Sequence, residues 1–432
     1  MANLIKEVRL IKADNGIDPK TGKQINSYKF WIGKLYDDES WTAEWARVGA
    51  IHPESGQWHG AKKFDAKVRE KLSAKKGYTE QKTIGSVTNG GMAPSSVIKS
   101  QDLHTIARTQ LIKASNPTLE RLITRLVQAN VHTITTSTQI TYNASTGGFA
   151  TPLGQVTMEG LIEARDLLAN MAPLIRARKF GTQADQILCK YLRIIPQDIG
   201  RKGFSTETLI PDDNSLQKQL DLIDSLESSL QAATPAPTPT QPNKPMEQVF
   251  KVDLEVLTDA AERARLDRFY EKSKKSMHHY DNVHVREIYK VAIHDINNQF
   301  LSTDPNITEV FHGSSMANCL SILKGGLKIN PPSTAAIAGK LFGNGLYGAV
   351  NSTKSLGYCL NRWGQGGVGD AAFLFICSFA MGNPYSTTEY GCSRPYKYDS
   401  VWAKASAGGL RNDELIVYSE NRSKVNYLLE CK

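Results

Sequence analysis

Phe311-His312-Gly313-Ser314, Gly343-Asn344-Gly345-Leu346-Tyr347, Lys354-Ser355-Leu356-Gly357-Tyr358 and Asp413-Glu414-Leu415-Ile416-Val417-Tyr418 follow one another through the last third of a 432-residue chain. Each sets one or two chemically active side chains beside glycines, or beside a short apolar run that reads as a strand edge or a turn. One imidazole, two tyrosines, a serine and a carboxylate suit the gripping of a flat amide and two riboses. The set contains no metal-ligand spacing and no Ser/His/Asp nucleophile. Each segment alone is weak, and the ordered set is specific.

Every member has an ordinary reading beside the functional one. Gly343-Asn344-Gly345-Leu346-Tyr347-Gly348 matches the dinucleotide pattern Gly-x-Gly-x-x-Gly. That pattern needs a buried strand before it and a helix opening after it. Here the loop-like Asn330-Pro331-Pro332-Ser333-Thr334 precedes and Asn351-Ser352-Thr353 follows, so a Rossmann site is set aside. His312 alone reads as a structural histidine, but Gly313 beside it allows a ligand to reach the backbone N–H and C=O. Ser314 adds a hydroxyl. Tyr347 and Tyr358 could be core aromatics, yet two such faces around Ser355 could clamp a flat heteroaromatic ring. Glu414 heads an apolar strand, where a lone acid is usually solvated.

Outward from these segments, the clearest boundary is Pro-rich: Pro235, Pro237, Pro239, Pro242 and Pro245 fall within 233–245 and favour an extended spacer. Beyond it, strand-like Phe373–Phe379, Glu414–Ser419 and Val425–Leu429 alternate with a helix at Ala260–Lys274. Before it, from Leu103 to Ala233, the pattern is helical: Leu119–Val131, Met158–Met171, Gln183–Ile195 and Leu216–Leu230. Leu161, Ala164, Leu168 and Met171 form one core-facing stripe, with Thr157 as N-cap. Ser86–Ser100 reads as a linker. The first 82 residues hold strands at Val8–Lys12, Ser27–Tyr36 and Trp41–Ile51, then a turn-rich passage at residues 52–57. A helix follows at Ala61–Lys76, with Phe64, Val68 and Leu72 on one face.

The net charge is +9, and residues 1–113 hold 19 Lys and Arg against 12 Asp and Glu, so much of the excess is N-terminal. A basic face of this kind permits a polyanionic partner. Within it Trp45-Ala46-Arg47-Val48-Gly49 places an indole and a guanidinium on the same side of one strand, fit for stacking and for phosphate binding. Six scattered cysteines without a Cys-x-x-Cys pair point to free thiols in a reduced compartment and against a zinc finger. No apolar run is long enough for a membrane span, and the charged start lacks the apolar stretch of an export signal.

Taken together, these residues resemble a poly(ADP-ribose) polymerase of the compact, DNA-dependent type. Trp45-Ala46-Arg47-Val48-Gly49, Gly56-Gln57, Phe64 and Lys76-Gly77-Tyr78 resemble the WGR domain, with Ala46 where the name calls for glycine. Pro152-Leu153-Gly154, Ile195-Pro196-Gln197-Asp198-Ile199-Gly200 and the Leu216–Leu230 helix resemble the regulatory helical domain. His312, Tyr347 and Glu414 resemble the transferase signature; Phe311–Asn318, Gly325–Pro332, Phe342–Tyr347 and Lys354–Cys359 match in order. Asn344 replaces the usual lysine of the animal enzymes and Gly348 an aromatic.

The resemblance implies a multidomain α+β architecture. A small antiparallel sheet plus helix occupies 1–85, a linker 86–101 and an all-α regulatory bundle 102–232. A Pro-rich linker follows at 233–246, then a mixed α/β two-sheet ADP-ribosyltransferase fold at 247–432. It implies that Gly313 and Ser355 hold the nicotinamide carboxamide, Tyr358 stacks on the ring with Tyr347 nearby, and His312 and Ser314 bind the adenosine ribose. Lys354 counts among the NAD+-binding residues. Glu414 would bind the nicotinamide ribose and act on the acceptor, with His312 and Tyr347 completing the catalytic set. NAD+ would be a consumed substrate, with no cofactor, no metal and no membrane. DNA ends or nicks, read at a 5′ phosphate through Trp45 and Arg47, would activate transfer to protein acceptors including the chain itself, as a monomer in DNA repair. The compartment would be the nucleus in a eukaryote and the cytoplasm or nucleoid otherwise. Alternatives are transfer of a single unit, a DNA-binding module with an inactive transferase domain, or an NAD-hydrolysing or RNA 2′-phosphate-transferring relative.

Overall fold

The computed structural model describes residues 2–16, 25–50, 52–80, 103–113, 115–137, 141–143, 148–151, 154–197, 199, 203–233, 248–329, 341–360, 371–389, 391–392, 394–406 and 410–432. The linker at 86–101, residues 234–246 of the Pro-rich one, the Pro152-Leu153 pair, Asp198, Gly200 and Asn330–Thr334 lie outside them, while Ala233 ends a helix. The chain begins β1 (Leu4–Asp14), β2 (Ser27–Tyr36), β3 (Ser40–Arg47), β4 (Glu54–His59), α1 (Ala61–Leu72), β5 (Thr79–Glu80). It continues with α2 (Leu103–Leu111), α3 (Pro117–Ser137), β6 (Thr141–Asn143), β7 (Gly148–Thr151), β8 (Gly154–Gln155), α4 (Met158–Arg176), α5 (Thr182–Ile194), α6 (Thr206–Leu209) and α7 (Asp213–Ala233). The last part holds β9 (Val252–Val256), α8 (Ala260–Lys272), β10 (Val285–Ile293), α9 (His294–Gln299), β11 (Ile307–Gly313), α10 (Cys319–Gly325), β12 (Leu346–Ala349) and α11 (Ser352–Cys359). It closes with β13 (Ala372–Ala380), β14 (Pro384–Thr387), β15 (Ser400–Ala403), β16 (Glu414–Val417) and β17 (Ser423–Cys431).

These elements fall into two compact units. One draws on Met1–Asp102 and Thr133–Thr234, the other on Leu103–His132 and Pro235–Lys432. The helical stretch read from sequence as one block is therefore shared: α2 and most of α3 go with the C-terminal elements, α4 to α7 with the N-terminal sheet.

In the first unit the sheet order is β4-β3-β2-β1-β5, all antiparallel. Both faces of its central strands are covered. Val8, Leu10, Trp31, Leu35, Trp41 and Ala43 bury against Phe64 and Val68 of α1. On the other face the Tyr28 hydroxyl donates to the Leu192 carbonyl of α5 at 2.9 Å and accepts from the Gln197 amide at 3.2 Å. Residues 54–59 form an edge strand, where the sequence suggested a turn. Their side chains are mostly exposed and polar, so no alternating pattern marks them, and pairing with β3 alone supplies the hydrogen bonds. Leu72, placed by periodicity on the buried stripe, is exposed because α1 ends there. The α4 stripe is buried as expected, and Thr157 caps the helix by accepting from the Gly160 amide at 3.1 Å.

Phe64 is fully buried, with ring centroids 6.3 Å from Trp31 and 5.7 Å from Trp41. Phe64→Ala empties the point where three aromatics meet. It is expected to cost about 3–5 kcal/mol, read as a lower denaturation midpoint.

In the second unit the strand order is β14-β15-β16-β12-β11-β13-β17-β10-β9, with only β14 and β15 parallel. The two sheets expected from the resemblance are thus joined, but barely: β11 and β12 meet through the single pair Phe311↔Ala349. Each half keeps its own core. Leu266 and Tyr270 of α8 pack with Phe311, Leu374, Ile376 and Leu429 on one side; Phe342, Val401, Ala403 and Ile416 cluster on the other. β13 is buried along its whole length, as its unbroken apolar run requires. Outside the sheet, Arg125 of α3 pairs with Glu430 at 2.8 Å, and Asn130 donates to the Ala317 carbonyl at 3.1 Å.

Candidate active site

The site grows from the junction of the half-sheets. β11 delivers His312 and Gly313 one and two residues beyond Phe311, and β12 delivers Tyr347 two residues before Ala349. Glu414 opens β16 with Ala349 on one side and Ala403 on the other. Two short neighbours leave the carboxylate room above the sheet. α11, which starts at Ser352, lies against β11 and carries Lys354, Ser355 and Tyr358.

Gly313 is obligatory for a reason within the fold. A Cβ built there would fall 1.9 Å from the Ser355 carbonyl oxygen, so the bare backbone lets α11 close on β11. The same approach places the Ser355 hydroxyl 3.1 Å from the Phe311 carbonyl, to which it donates. Ser355 is buried. Its oxygen keeps free lone pairs for a ligand donor, while the proton is engaged by the sheet. Gly348 sits inside the packing, where a Cβ would come within 2.5 Å of Val310; no aromatic fits there.

His312 Nδ1 lies 3.0 Å from the Tyr347 carbonyl. A carbonyl only accepts, so Nδ1 carries the proton and Nε2 is left as an acceptor, suited to a sugar hydroxyl. Burial pushes the imidazole below its usual range, which keeps it neutral. The Tyr347 hydroxyl is fully used: it accepts from the Phe342 amide at 3.0 Å and donates to the Gly343 carbonyl at 2.8 Å. That staple gives the glycine-rich loop its shape and leaves the Tyr347 ring as what it offers a ligand. Gly343 has φ of 91°, and the segment after it becomes strand β12, so the decoy dinucleotide pattern opens no helix.

Lys354 and Glu414 form an ion pair with both side chains largely covered. Burial pushes the Lys354 ammonium below its usual range, and Glu414 partly offsets that. Asp413 is spoken for, accepting from the Trp402 indole N–H and the Ala405 amide, each at 2.9 Å. Tyr358 keeps 48% of its surface exposed, one helical turn beyond Lys354. Burial and then the Glu414 charge raise the pKa of its phenol. Its ring is thus half covered by protein and half open to water. Ser314 is partly buried, with Asn318 Nδ2 3.4 Å from its hydroxyl.

Trp45 and Arg47 lie in the other compact unit. The Trp45 indole donates to Glu54 at 3.0 Å, and its ring centroid is 6.1 Å from that of Trp58, which is exposed. Arg47 donates to the carbonyl and side-chain oxygens of Asn26 at 3.3 and 3.1 Å. Sequence reasoning missed the supports of the C-terminal site, among them Thr353, Asn412 and His278, which no local pattern connects.

The description "Poly(ADP-ribose) polymerase catalytic domain" belongs to the family model that matches residues 260–407. That span includes His312, Tyr347 and Tyr358 and stops short of Glu414. "Poly [ADP-ribose] polymerase 2" of Arabidopsis thaliana is 24% identical over 332 residues, 68% of this chain and 50% of that protein. The Homo sapiens protein of the same name is 25% identical over 319 residues, 65% of this chain and 53% of that one. A poly [ADP-ribose] polymerase-like protein, 100L, of Invertebrate iridescent virus 6 is 30% identical over 131 residues, 28% of this chain and 68% of its own length. The chain spans about half the length of the plant and human relatives. No helix among the described residues is long and apolar enough to cross a membrane.

Proposed function

The chain belongs to the poly(ADP-ribose) polymerase family, and from that premise we propose that its C-terminal unit binds NAD+ and transfers ADP-ribose to protein, releasing nicotinamide. One observation carries this reading. The Lys354–Glu414 pair and a neutral His312 with a free Nε2 are held around one strand junction. Gly313 and Ser355 take the carboxamide, Tyr358 and Tyr347 flank the ring, and His312 and Ser314 receive the adenosine ribose. The glycosidic bond from the ribose C1′ to the nicotinamide nitrogen breaks, and its electron pair leaves with nicotinamide. Positive charge gathers on the ribose, where Glu414 is the fixed counter-charge. The acceptor oxygen then bonds to C1′, and its proton passes to the Glu414 carboxylate as general base. The same carboxylate can act on a ribose hydroxyl of a previous unit, which extends the chain. NAD+ is consumed, and no metal enters the reaction.

The N-terminal unit serves as the DNA sensor in this reading. Trp45 and Arg47 engage a DNA end or nick at its 5′ phosphate, and occupancy there raises NAD+ turnover as part of a response to DNA damage, nuclear in a eukaryote. The direct test incubates the chain with labelled NAD+, with and without a short duplex bearing a 5′ phosphate. A ladder that strengthens with DNA is expected. A single shift would mean one-unit transfer, and equal turnover with and without DNA would remove the sensor. Arg47→Ala is expected to weaken duplex binding and to lower the salt dependence of log K by about one unit of slope, measured by anisotropy.

A further inference from the structure

A six-residue segment outside the expected signature joins the two sources of catalytic side chains. Between α8 and β10, residues 273–278 lie along the start of α11. Asn351 Nδ2 donates to the Ser273 carbonyl at 3.1 Å, the Ser352 amide to Ser273 Oγ at 3.2 Å, and the Lys275 amide to Thr353 Oγ1 at 2.9 Å. The segment ends in a tight turn at Ser276–His278, closed by His279 in the left-handed region at φ of 60°. That conformation is uncommon for a residue with a side chain, so the turn is held by its surroundings.

The His278 ring is the last link. Its Nδ1 lies 2.8 Å from Thr353 Oγ1 and its Nε2 lies 3.0 Å from Asn412 Nδ2. With the Asn412 amide donating to Nε2, Nδ1 carries the proton and donates to Thr353, whose oxygen also accepts from Lys275. A neutral imidazole therefore satisfies both neighbours. Asn412 is buried and its Oδ1 has no partner, so among the described residues the bond to His278 is what orients that amide. Thr353 immediately precedes Lys354, and Asn412 stands two residues before Glu414.

We propose that His278 is a positioning residue: its imidazole ties the backbone delivering Lys354 to the backbone delivering Glu414 and sets where the carboxylate meets the ribose. This rests on the transferase reading of the site. The leverage is large because a misplacement of about 1 Å at a reacting group costs up to ~100-fold in rate.

The test measures nicotinamide release from NAD+ by the full chain in two backgrounds. His278→Ala is expected to lower kcat by about 10- to 100-fold with little change in KM. Asn412→Ala should reproduce that loss, and the double variant should be no worse than either single one, since both cut one link. In a Glu414→Gln background, His278→Ala should cost almost nothing further, because the group it places has lost its charge. His278→Gln, whose amide reaches the Nε2 position, should recover part of kcat. A kcat unchanged in His278→Ala, a loss in KM alone, or the same fold-loss in both backgrounds overturns the proposal. If His278→Ala fails to fold, full kcat in Asn412→Ala overturns it equally. Failure of the parent chain to release nicotinamide overturns the transferase reading and this role with it, which an active parent with active variants does not.

Discussion

Glu414→Gln should lower ADP-ribose transfer by about 100- to 1,000-fold and abolish chain extension, while NAD+ binding measured by calorimetry stays close to that of the parent. The amide keeps an oxygen able to accept from a ribose hydroxyl, so ground-state binding loses little. It carries no negative charge, so the positive charge that builds as the glycosidic bond breaks meets only a weak dipole. It is also a poor base for the acceptor proton. Ladders of parental length from the variant would refute the assignment.

The same substitution has a second signature. Glu414 is the first influence offsetting the burial that already pushes the Lys354 ammonium down. Without it the folded-state value falls further below the unfolded one. Between the two values the unfolded chain binds the extra proton, so stability rises with pH through that window and is lower on its acidic side. The window widens in the variant. Its thermal midpoint should therefore gain more than the parent's as pH rises toward the ordinary lysine value of about 10.4.

Gly313→Ala should be damaging in a different way. The added carbon falls 1.9 Å from a backbone oxygen and 2.7 Å from its carbonyl carbon. No rotamer relieves that clash, so either β11 or α11 must move. Overpacking of this kind costs about 1–3 kcal/mol, a drop of roughly 2–12 °C in thermal midpoint for a unit of this size. Because α11 carries Lys354, Ser355 and Tyr358, NAD+ binding should fall with stability. Gly203→Ala is the control: nothing lies within 4 Å of a Cβ there, and it should be neutral. Parental stability and NAD+ affinity in Gly313→Ala would show that α11 does not depend on that contact.

Strongly periodic elements are legible in the sequence. β2 has the bounds read from Ser27–Tyr36, and the α4 stripe and its Thr157 cap are as expected. β4 was not legible, because an exposed edge strand needs no apolar alternation. In the site, residue types could be read from spacing, but the use of each polar atom could not. The Tyr347 hydroxyl holds a loop, the Ser355 proton serves Phe311, and Glu414 answers Lys354 across 60 residues. The His278–Asn412 contact spans 134 residues, a separation over which only the folded topology supplies the neighbour.

A sheet joined through one residue pair has a mechanical consequence. Its two halves are separately cored, so a twist between them strains the seam, where the Phe311–Ala349 pairing, the His312–Tyr347 bond and the Gly348–Val310 packing lie, and leaves both interiors packed. The angle between the half-sheets is then a soft coordinate, and each half-sheet is stiff. Amide exchange around Phe311 and Ala349 should be faster than along β13 or β17, and saturating NAD+ should slow it by bracing the two half-sheets against each other.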